Sequence, residues 1–215
     1  MIAPEVVVID YGVGNLLSVQ RGLEHCGAKV TLTAEPEEIL SAKRLVLPGV
    51  GAFKSAMEVL HTLGLVEVIR EVAKKQTPLL GICLGMQLLL EESEEFGVSA
   101  GLGLIPGRVI PIPIQTQSGE IQKIPHIGWS ALQLSGGLDA WNGTLLQDNH
   151  LDEAAYFVHS FMAVPTNSHH RIADCKYGGH SIAAVIGNGH ITACQFHPEK
   201  SGEVGLKILR KFCLD

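Results

Sequence analysis

The chain has 215 residues, 46% of them hydrophobic and 18% charged, a balance that excludes an intrinsically disordered polypeptide. Its formal net charge of -6 and the lack of a basic run argue against a nucleic-acid partner. The five cysteines, Cys26, Cys83, Cys175, Cys194 and Cys213, form no C-x-x-C pair, which argues against a disulfide framework or a thiolate zinc site and for a reducing, cytoplasmic setting.

The opening MIAPEVVVID has no basic n-region and its apolar run stops at Asp10, so it does not read as a signal peptide. No run approaches the ~18 apolar residues of a membrane span. In chain order, Glu5–Ile9 is a fully buried strand of consecutive β-branched residues. A glycine turn leads into a helix from Asn15 to Cys26, with Gly27 at its C′ position. Lys29–Thr33 is a second strand, and Arg44–Leu47 a third, closed by Pro48. A helical stretch from Phe53 to Lys75 breaks near Gly64, Pro78–Ile82 is a fourth strand, and Gly85–Glu92 is a helix. This alternation predicts a parallel sheet with right-handed crossovers.

From Gly101 onward glycine, proline and β-branched residues dominate. Gly107–Pro113, Ile121–Ile127, Ala154–Phe161, Ile172–Lys176, Ile182–Ile186 and Ile191–Phe196 read as antiparallel strands and hairpins. GNGH at Gly187–His190 reads as a hairpin turn centred on Asn-Gly. A last helix runs from Gly202 to Cys213. The pattern predicts an α/β fold: one domain over residues 1–215, with an open, mostly parallel central sheet flanked by helices and additional antiparallel strands in the C-terminal half.

One cysteine stands apart. GICLGMQ, from Gly81, places Cys83 between two glycines at a strand-to-helix junction. That is the shape of a nucleophile elbow, whose neighbours two residues away must lack side chains for strand and helix to approach. The turn lifts the sulfur above the carboxyl edge of the sheet, where open α/β sheets bind ligands. It also sets the sulfur at a helix N-terminus, where the dipole favours thiolate, and leaves the Leu84 N–H able to donate to an oxyanion. The alternative is a buried structural cysteine in a Gly-rich turn, the role read for the other four.

A nucleophilic cysteine needs a base, and the base an orienting partner. ITACQFHPEK ends a strand with His197. Pro198 then stops the strand, and Glu199 follows within reach of the ring. DYGVGN lacks the third glycine of a dinucleotide fingerprint, since Leu17 stands there, and no G-K-[ST] follows. His169 and His170 in TNSHHR read as a polar turn rather than metal ligands.

With GICLGMQ and HPEK in place, the chain resembles the class I, triad-type glutamine amidotransferases, whose fold is flavodoxin-like. DYGVGNLLSV (Asp10–Val19), LPGVGAF (Leu47–Phe53), IPHIGW (Ile124–Trp129), YFVHSF (Tyr156–Phe161) and HPEKSG (His197–Gly202) resemble one branch. That branch comprises the glutaminase subunits of imidazole glycerol phosphate synthases, from histidine biosynthesis. The similarity covers nearly the whole chain in the expected order, without a synthase domain, so it implies the separate-chain form.

The resemblance implies the following chemistry. Cys83 attacks the side-chain amide of L-glutamine and becomes a glutamyl thioester, His197 carries the thiol proton to the leaving ammonia, and Glu199 orients His197. The Leu84 N–H and one from the Pro48–Gly51 loop, with its Gly49 and Gly51, hold the oxyanion. Gln87 and Glu95 match positions that bind the glutamine head group, Glu95 suiting the α-ammonium. His159, Ser160 and Phe161 match a strand lining the same pocket. No metal or organic cofactor is implied.

The implied partner is a barrel-shaped cyclase subunit, paired as a heterodimer and docked near Gly12–Asn15. Its substrate would raise an otherwise weak glutaminase, in one route by re-aiming the Pro48–Gly51 loop. Two positions depart from the branch: Phe161 stands where tyrosine is expected, and Ser130 where asparagine is expected. Rival readings are the glutaminase of another triad amidotransferase (anthranilate or pyridoxal-phosphate synthase), a cysteine peptidase or esterase, and a non-catalytic module of the same fold.

Overall fold

A computed structural model of the chain describes residues 3–135 and 138–214. The first half runs β1 (Glu5–Ile9), α1 (Leu16–His25), β2 (Lys29–Thr33), α2 (Pro36–Leu40), β3 (Leu45–Gly49), α3 (Phe53–Thr62), α4 (Leu65–Lys74), β4 (Leu79–Cys83) and α5 (Leu84–Leu88). Then come β5 (Leu90–Ser93), β6 (Ser99–Ala100), β7 (Ile105–Pro111), β8 (His126–Ala131), β9 (Gln133–Leu134), β10 (Ala154–His159) and β11 (Phe161–Pro165). The chain closes with β12 (Arg171–Tyr177), β13 (His180–Asn188), β14 (Ile191–Cys194) and α6 (Gly202–Leu214).

The main sheet has the order β2-β1-β3-β4-β14-β13-β12-β9. Pairings from β2 through β14 are parallel, and those from β14 through β9 antiparallel. The path goes outward from β1 to β2, then back across β1 to β3. This reversal opens a crevice at the carboxyl ends of the strands, and the loops after β1, β3 and β4 all emerge there. A ribbon of β8 and β10 and a four-stranded sheet, β11-β7-β5-β6, stand beside it.

Side-chain alternation along the central strands divides the core between the two faces. Val6, Val46, Leu80 and Ile82 pack with Leu23 of α1 and Leu209 of α6. Leu45, Leu47 and Leu79 pack with Leu60 of α3 and Ile69 of α4 on the other side. Both faces being covered explains why β1, β3 and β4 read as continuous apolar runs. Among the described residues, no helix is long and apolar enough to cross a membrane.

Several elements differ from the expectations. The helix expected over Gly85–Glu92 ends at Leu88, and Leu90–Ser93 is strand β5, paired in parallel with β7. Leu88, Leu89 and Leu90 are all fully buried, so periodicity could not show where helix gives way to strand. The strand expected to close at Pro48 continues to Gly49, which pairs with Cys83. The strand expected at Ile121–Ile127 is displaced to His126–Ala131, Ile121 making only an isolated bridge to Gln115. Ala154–Phe161 is two strands broken at Ser160. The β13–β14 hairpin turns on Gly189-His190 rather than Asn-Gly: Asn188 pairs with Ile191, and Gly189 has φ +61°. The short helix α2 was not anticipated, although Pro36 at its first turn is a start signal.

Candidate active site

Cys83 ends β4 with φ 56° and ψ -109°, a conformation that is uncommon for a side-chain-bearing residue and characteristic of strained functional turns. The two glycines around it are sterically required. A Cβ on Gly85 would lie 1.8 Å from the Leu47 carbonyl oxygen, and one on Gly81 would meet Leu89 Cδ1 at 2.8 Å and the Gly85 carbonyl at 3.0 Å. Helix α5, which follows, has only five residues.

The loop after β3 is tied down by a residue that the sequence reading did not single out. The Tyr11 hydroxyl donates to the Pro48 carbonyl at 2.8 Å, and it would sit 2.6 Å from a Cβ on Gly49. Gly49 is therefore a close-approach glycine, whereas Gly51 is a conformational one, at φ +96° with open space around it.

His197 Nδ1 lies 2.8 Å from Glu199 Oε1, with both side chains buried. The two meet because Pro198–Lys200 forms a 3-10 turn straight after His197. Ser201 Oγ clamps this turn, donating to the His197 carbonyl at 2.7 Å and accepting from the Tyr156 N–H at 3.0 Å. Helix α6 packs so closely on the turn that a Cβ on Gly205 would lie 1.8 Å from the Pro198 carbonyl oxygen. Burial disfavours charge on His197, but the Cys83 sulfur and the Glu199 carboxylate outweigh it and raise the imidazole to about 9. His197 Nε2 is buried and has no partner among the described residues.

Cys83 and His197 line one cavity of about 400 Å³ with Val50, Gly51, Leu84, Gln87, Glu95, His159, Ser160 and Phe161. Every site residue expected from the sequence lines this cavity except Gly49, which pairs with Cys83, and Glu199, which stands behind His197. A second cavity of similar volume lies at the opposite edge of the sheet, beside Pro78 and His190, far from this chemistry.

The polar lining is largely committed to the protein. Gln87 Nε2 donates to the Phe161 carbonyl at 3.1 Å and to Gln195 Oε1 at 3.0 Å, which leaves only Oε1 for a ligand. Glu95 Oε2 accepts the Phe53 N–H at 2.6 Å, which leaves Oε1. Two leftover acceptors suit a cationic group such as an ammonium. Both ring nitrogens of His159 are engaged, Nδ1 with the Phe161 carbonyl at 2.8 Å and Nε2 with His126 Nδ1 at 3.0 Å. The ring therefore shapes the cavity without offering it a free donor.

Gln195 and His126 were missed by sequence reasoning. Gln195 is fully buried, and its Nε2 lies 4.0 Å from Cys83 Sγ. Its signal was available: a polar residue at the end of an otherwise apolar run, two positions before His197. None of the other cysteines lines the cavity that holds His197. Burial raises the thiols of Cys175 and Cys213 to about 12 and Cys194 further still, and the Cys26 thiol, also raised, donates to the Leu206 carbonyl. His169 lies in a 3-10 turn capped by Asn167.

The family model for Glutamine amidotransferase class-I matches residues 7–215. The chain belongs to this family. Among curated relatives of this amidotransferase, imidazole glycerol phosphate synthase subunit HisH 1 of Legionella pneumophila (strain Lens) is 52% identical over 207 residues, spanning 96% of this chain and 97% of the relative. Subunit HisH of Geobacillus kaustophilus (strain HTA426) is 44% identical over 205 residues, spanning 95% and 94%. Solved structures share the amidotransferase fold at lower identity. PurLQS from Thermotoga maritima aligns with a TM-score of 0.71 at 18% identity over 98% of both chains. A crystal structure of a glutamine amidotransferase aligns with a TM-score of 0.69 at 16% identity, covering 93% of this chain and 94% of the other.

Proposed function

We infer that the chain, acting as one glutaminase domain over residues 1–215, hydrolyses L-glutamine to glutamate and ammonia. The ammonia supplies the cyclase subunit of imidazole glycerol phosphate synthase in L-histidine biosynthesis. The observation that carries this reading is the meeting of an elbow cysteine with a buried His197–Glu199 pair on one cavity, in a chain half identical to named HisH subunits over nearly its whole length.

In the first half-reaction, Cys83 Sγ attacks the carboxamide carbon of glutamine, and the thiol proton passes to His197 Nε2. The resulting oxyanion is held by the Leu84 N–H and an N–H of the Pro48–Gly51 loop. Its collapse breaks the carbon–nitrogen bond, and His197 protonates the departing ammonia. In the second half-reaction, water attacks the thioester, His197 takes the water proton, and glutamate leaves as the thiol re-forms. Glu199 holds the imidazole in the tautomer with Nδ1–H and stabilises the imidazolium formed in each half. The free acceptors of Glu95 and Gln87 take the α-ammonium of glutamine. Removal of one oxyanion donor typically costs about 10²–10³ in rate.

The partner is a barrel-shaped cyclase subunit, paired as a heterodimer. Leu17, Val50, Ile127 and Trp129, on elements around the mouth of the cavity, are 55%, 42%, 59% and 59% exposed. A contiguous patch of such side chains is the kind of surface a partner covers, so docking there should bury all four. Gly51 gives the loop a pivot by which docking turns an N–H toward the oxyanion. A free thiol nucleophile among five unpaired cysteines is in keeping with a reducing, cytoplasmic setting.

The deciding experiment measures glutamate release from free glutamine, with and without a cognate cyclase and its phosphoribulosyl ligand. Weak release alone and strong release in the complex is expected. Absence of release in both would refute the reading, and activation only by the synthase of another pathway would reassign the partner.

A further inference from the structure

Gly128 lies between His126 and Ser130 on β8 with φ +142°. In a straight strand, residues four apart are separated by about 13 Å. Here the strand curls, and Ser130 Oγ lies 2.9 Å from His126 Nε2. The His126 ring is stacked between Tyr177 and Phe157, at centroid distances of 4.1 and 5.0 Å. Its Nδ1 reaches His159 Nε2, and His159 Nδ1 reaches the Phe161 carbonyl.

This chain of bonds has one possible direction. A carbonyl oxygen only accepts, so His159 Nδ1 carries hydrogen and, in a neutral ring, its Nε2 is bare. His126 Nδ1 must then donate, which leaves its own Nε2 as the acceptor for the Ser130 hydroxyl. Burial pushes both imidazoles down to about 4, so both are neutral near pH 7. At the inner end, the Phe161 carbonyl also receives Gln87 Nε2, and Gln87 lines the Cys83 cavity.

We infer that His126, held by Ser130, is a positioning residue for glutamine: it locks the His159 ring and, through it, the Phe161 carbonyl and the Gln87 carboxamide. The inference rests on the reading that glutamine occupies the Cys83 cavity. Without the His126 N–H, His159 is free to take its other tautomer or to rotate, and Phe161 loses one of its two donors. Affinity for the amino-acid head group then falls, although His126 touches no substrate. The attacking sulfur and His197 are unaffected. Ser130, the unexplained departure from the branch pattern, acquires a role as the outer hydrogen donor.

The test compares His126→Phe, which keeps the ring stack but removes the N–H, with His126→Asn, which loses the stack but keeps an N–H at the same place. The probe is 6-diazo-5-oxo-L-norleucine, a glutamine analogue that alkylates the nucleophilic cysteine, applied to the full chain with its cognate cyclase and phosphoribulosyl ligand present, with KI and kinact measured separately. In His126→Phe, KI rises about fivefold, the worth of one neutral hydrogen bond, and kinact stays within about twofold. In His126→Asn, KI stays near the parent value while thermal stability drops. The 15N shifts of the His159 ring report Nδ1 protonation in the parent and a tautomer mixture in His126→Phe.

An unchanged KI in His126→Phe, equal defects in the two variants, or a parent His159 protonated at Nε2 would each overturn the proposal. A parent chain that is not labelled at Cys83 would instead defeat the glutamine reading, and this inference with it.

Discussion

His197 Nδ1 and Glu199 Oε1 are 2.8 Å apart, and their side chains are only 4% and 1% exposed. Residues two apart on a straight strand would stand about 7 Å apart on the same face. The 3-10 turn begun by Pro198 instead folds the carboxylate back onto the ring. Gly205 of α6 leaves room for that turn, since a Cβ there would lie 1.8 Å from the Pro198 carbonyl oxygen.

Glu199→Gln keeps the shape but removes the charge that favours imidazolium. His197, now near 9, should titrate lower, because a cause of its raised value is lost. Glutamine hydrolysis should fall by about 10²–10⁴, as when other triad carboxylates become amides. The pH profile of kcat/KM checks both effects, and a variant within about threefold of the parent would remove Glu199 from its orienting role.

Cys83→Ser should abolish glutamate release while leaving the fold and cyclase binding intact. Cys194→Ser should retain most activity, since that thiol is fully buried and raised far above neutrality. Parallel losses in the two variants would contradict the assignment of the nucleophile.

Gly85→Ala should be the most damaging single methyl in the elbow, because its Cβ would fall 1.8 Å from a backbone oxygen that cannot swing aside. A loss above about 3 kcal/mol, or an inactive but folded protein with a displaced elbow, is expected. Gly22→Ala meets only the tip of the Leu209 side chain at 2.9 Å. Alanine also favours a helix interior by about 1 kcal/mol, so this variant should stay within about 1 kcal/mol of the parent. Urea melts of the two variants make the comparison.

Phe161→Tyr restores the hydroxyl expected in this branch. The observed contacts at this position run through the Phe161 carbonyl, to Gln87 and His159, rather than through the ring. The KM for glutamine should therefore change by less than about threefold. A shift of tenfold would mean that the hydroxyl makes its own bond to substrate or partner, and steady-state kinetics with the cyclase present decide between these outcomes.

The buried histidines set opposite pH limits on stability. His126 and His159 titrate near 4 in the folded chain, below the unfolded value of about 6.5. The unfolded state therefore binds more protons in that window, and the stabilisation is complete above about pH 6.5 and is lost as pH falls toward 4. His197 is raised to about 9, so its contribution is complete below about pH 6.5 and is lost as pH rises through 9. Urea midpoints should peak near neutrality. His126→Phe should make the acid limb shallower, the His159 contribution remaining, and leave the alkaline limb unchanged.

Local sequence determined the parts of this protein that rest on short-range rules. The apolar runs at Glu5–Ile9 and Pro78–Ile82 read as buried strands, G-x-C-x-G as a turn too tight for side chains, and H-P-E as a stop that sets a carboxylate next to an imidazole, although the strand before it, expected to reach Phe196, ends at Cys194. Tertiary structure alone decided that the Tyr11 hydroxyl anchors the Pro48 carbonyl, that α5 stops after five residues so that Leu90 can join a strand, and that Ser130, His126 and His159 align toward the Cys83 cavity. These depend on partners tens of residues apart in the chain, on a strand curled at Gly128, and on leucines buried on every side. No periodicity within a ten-residue window carries that information, because it arises only when separate elements compete for the same core.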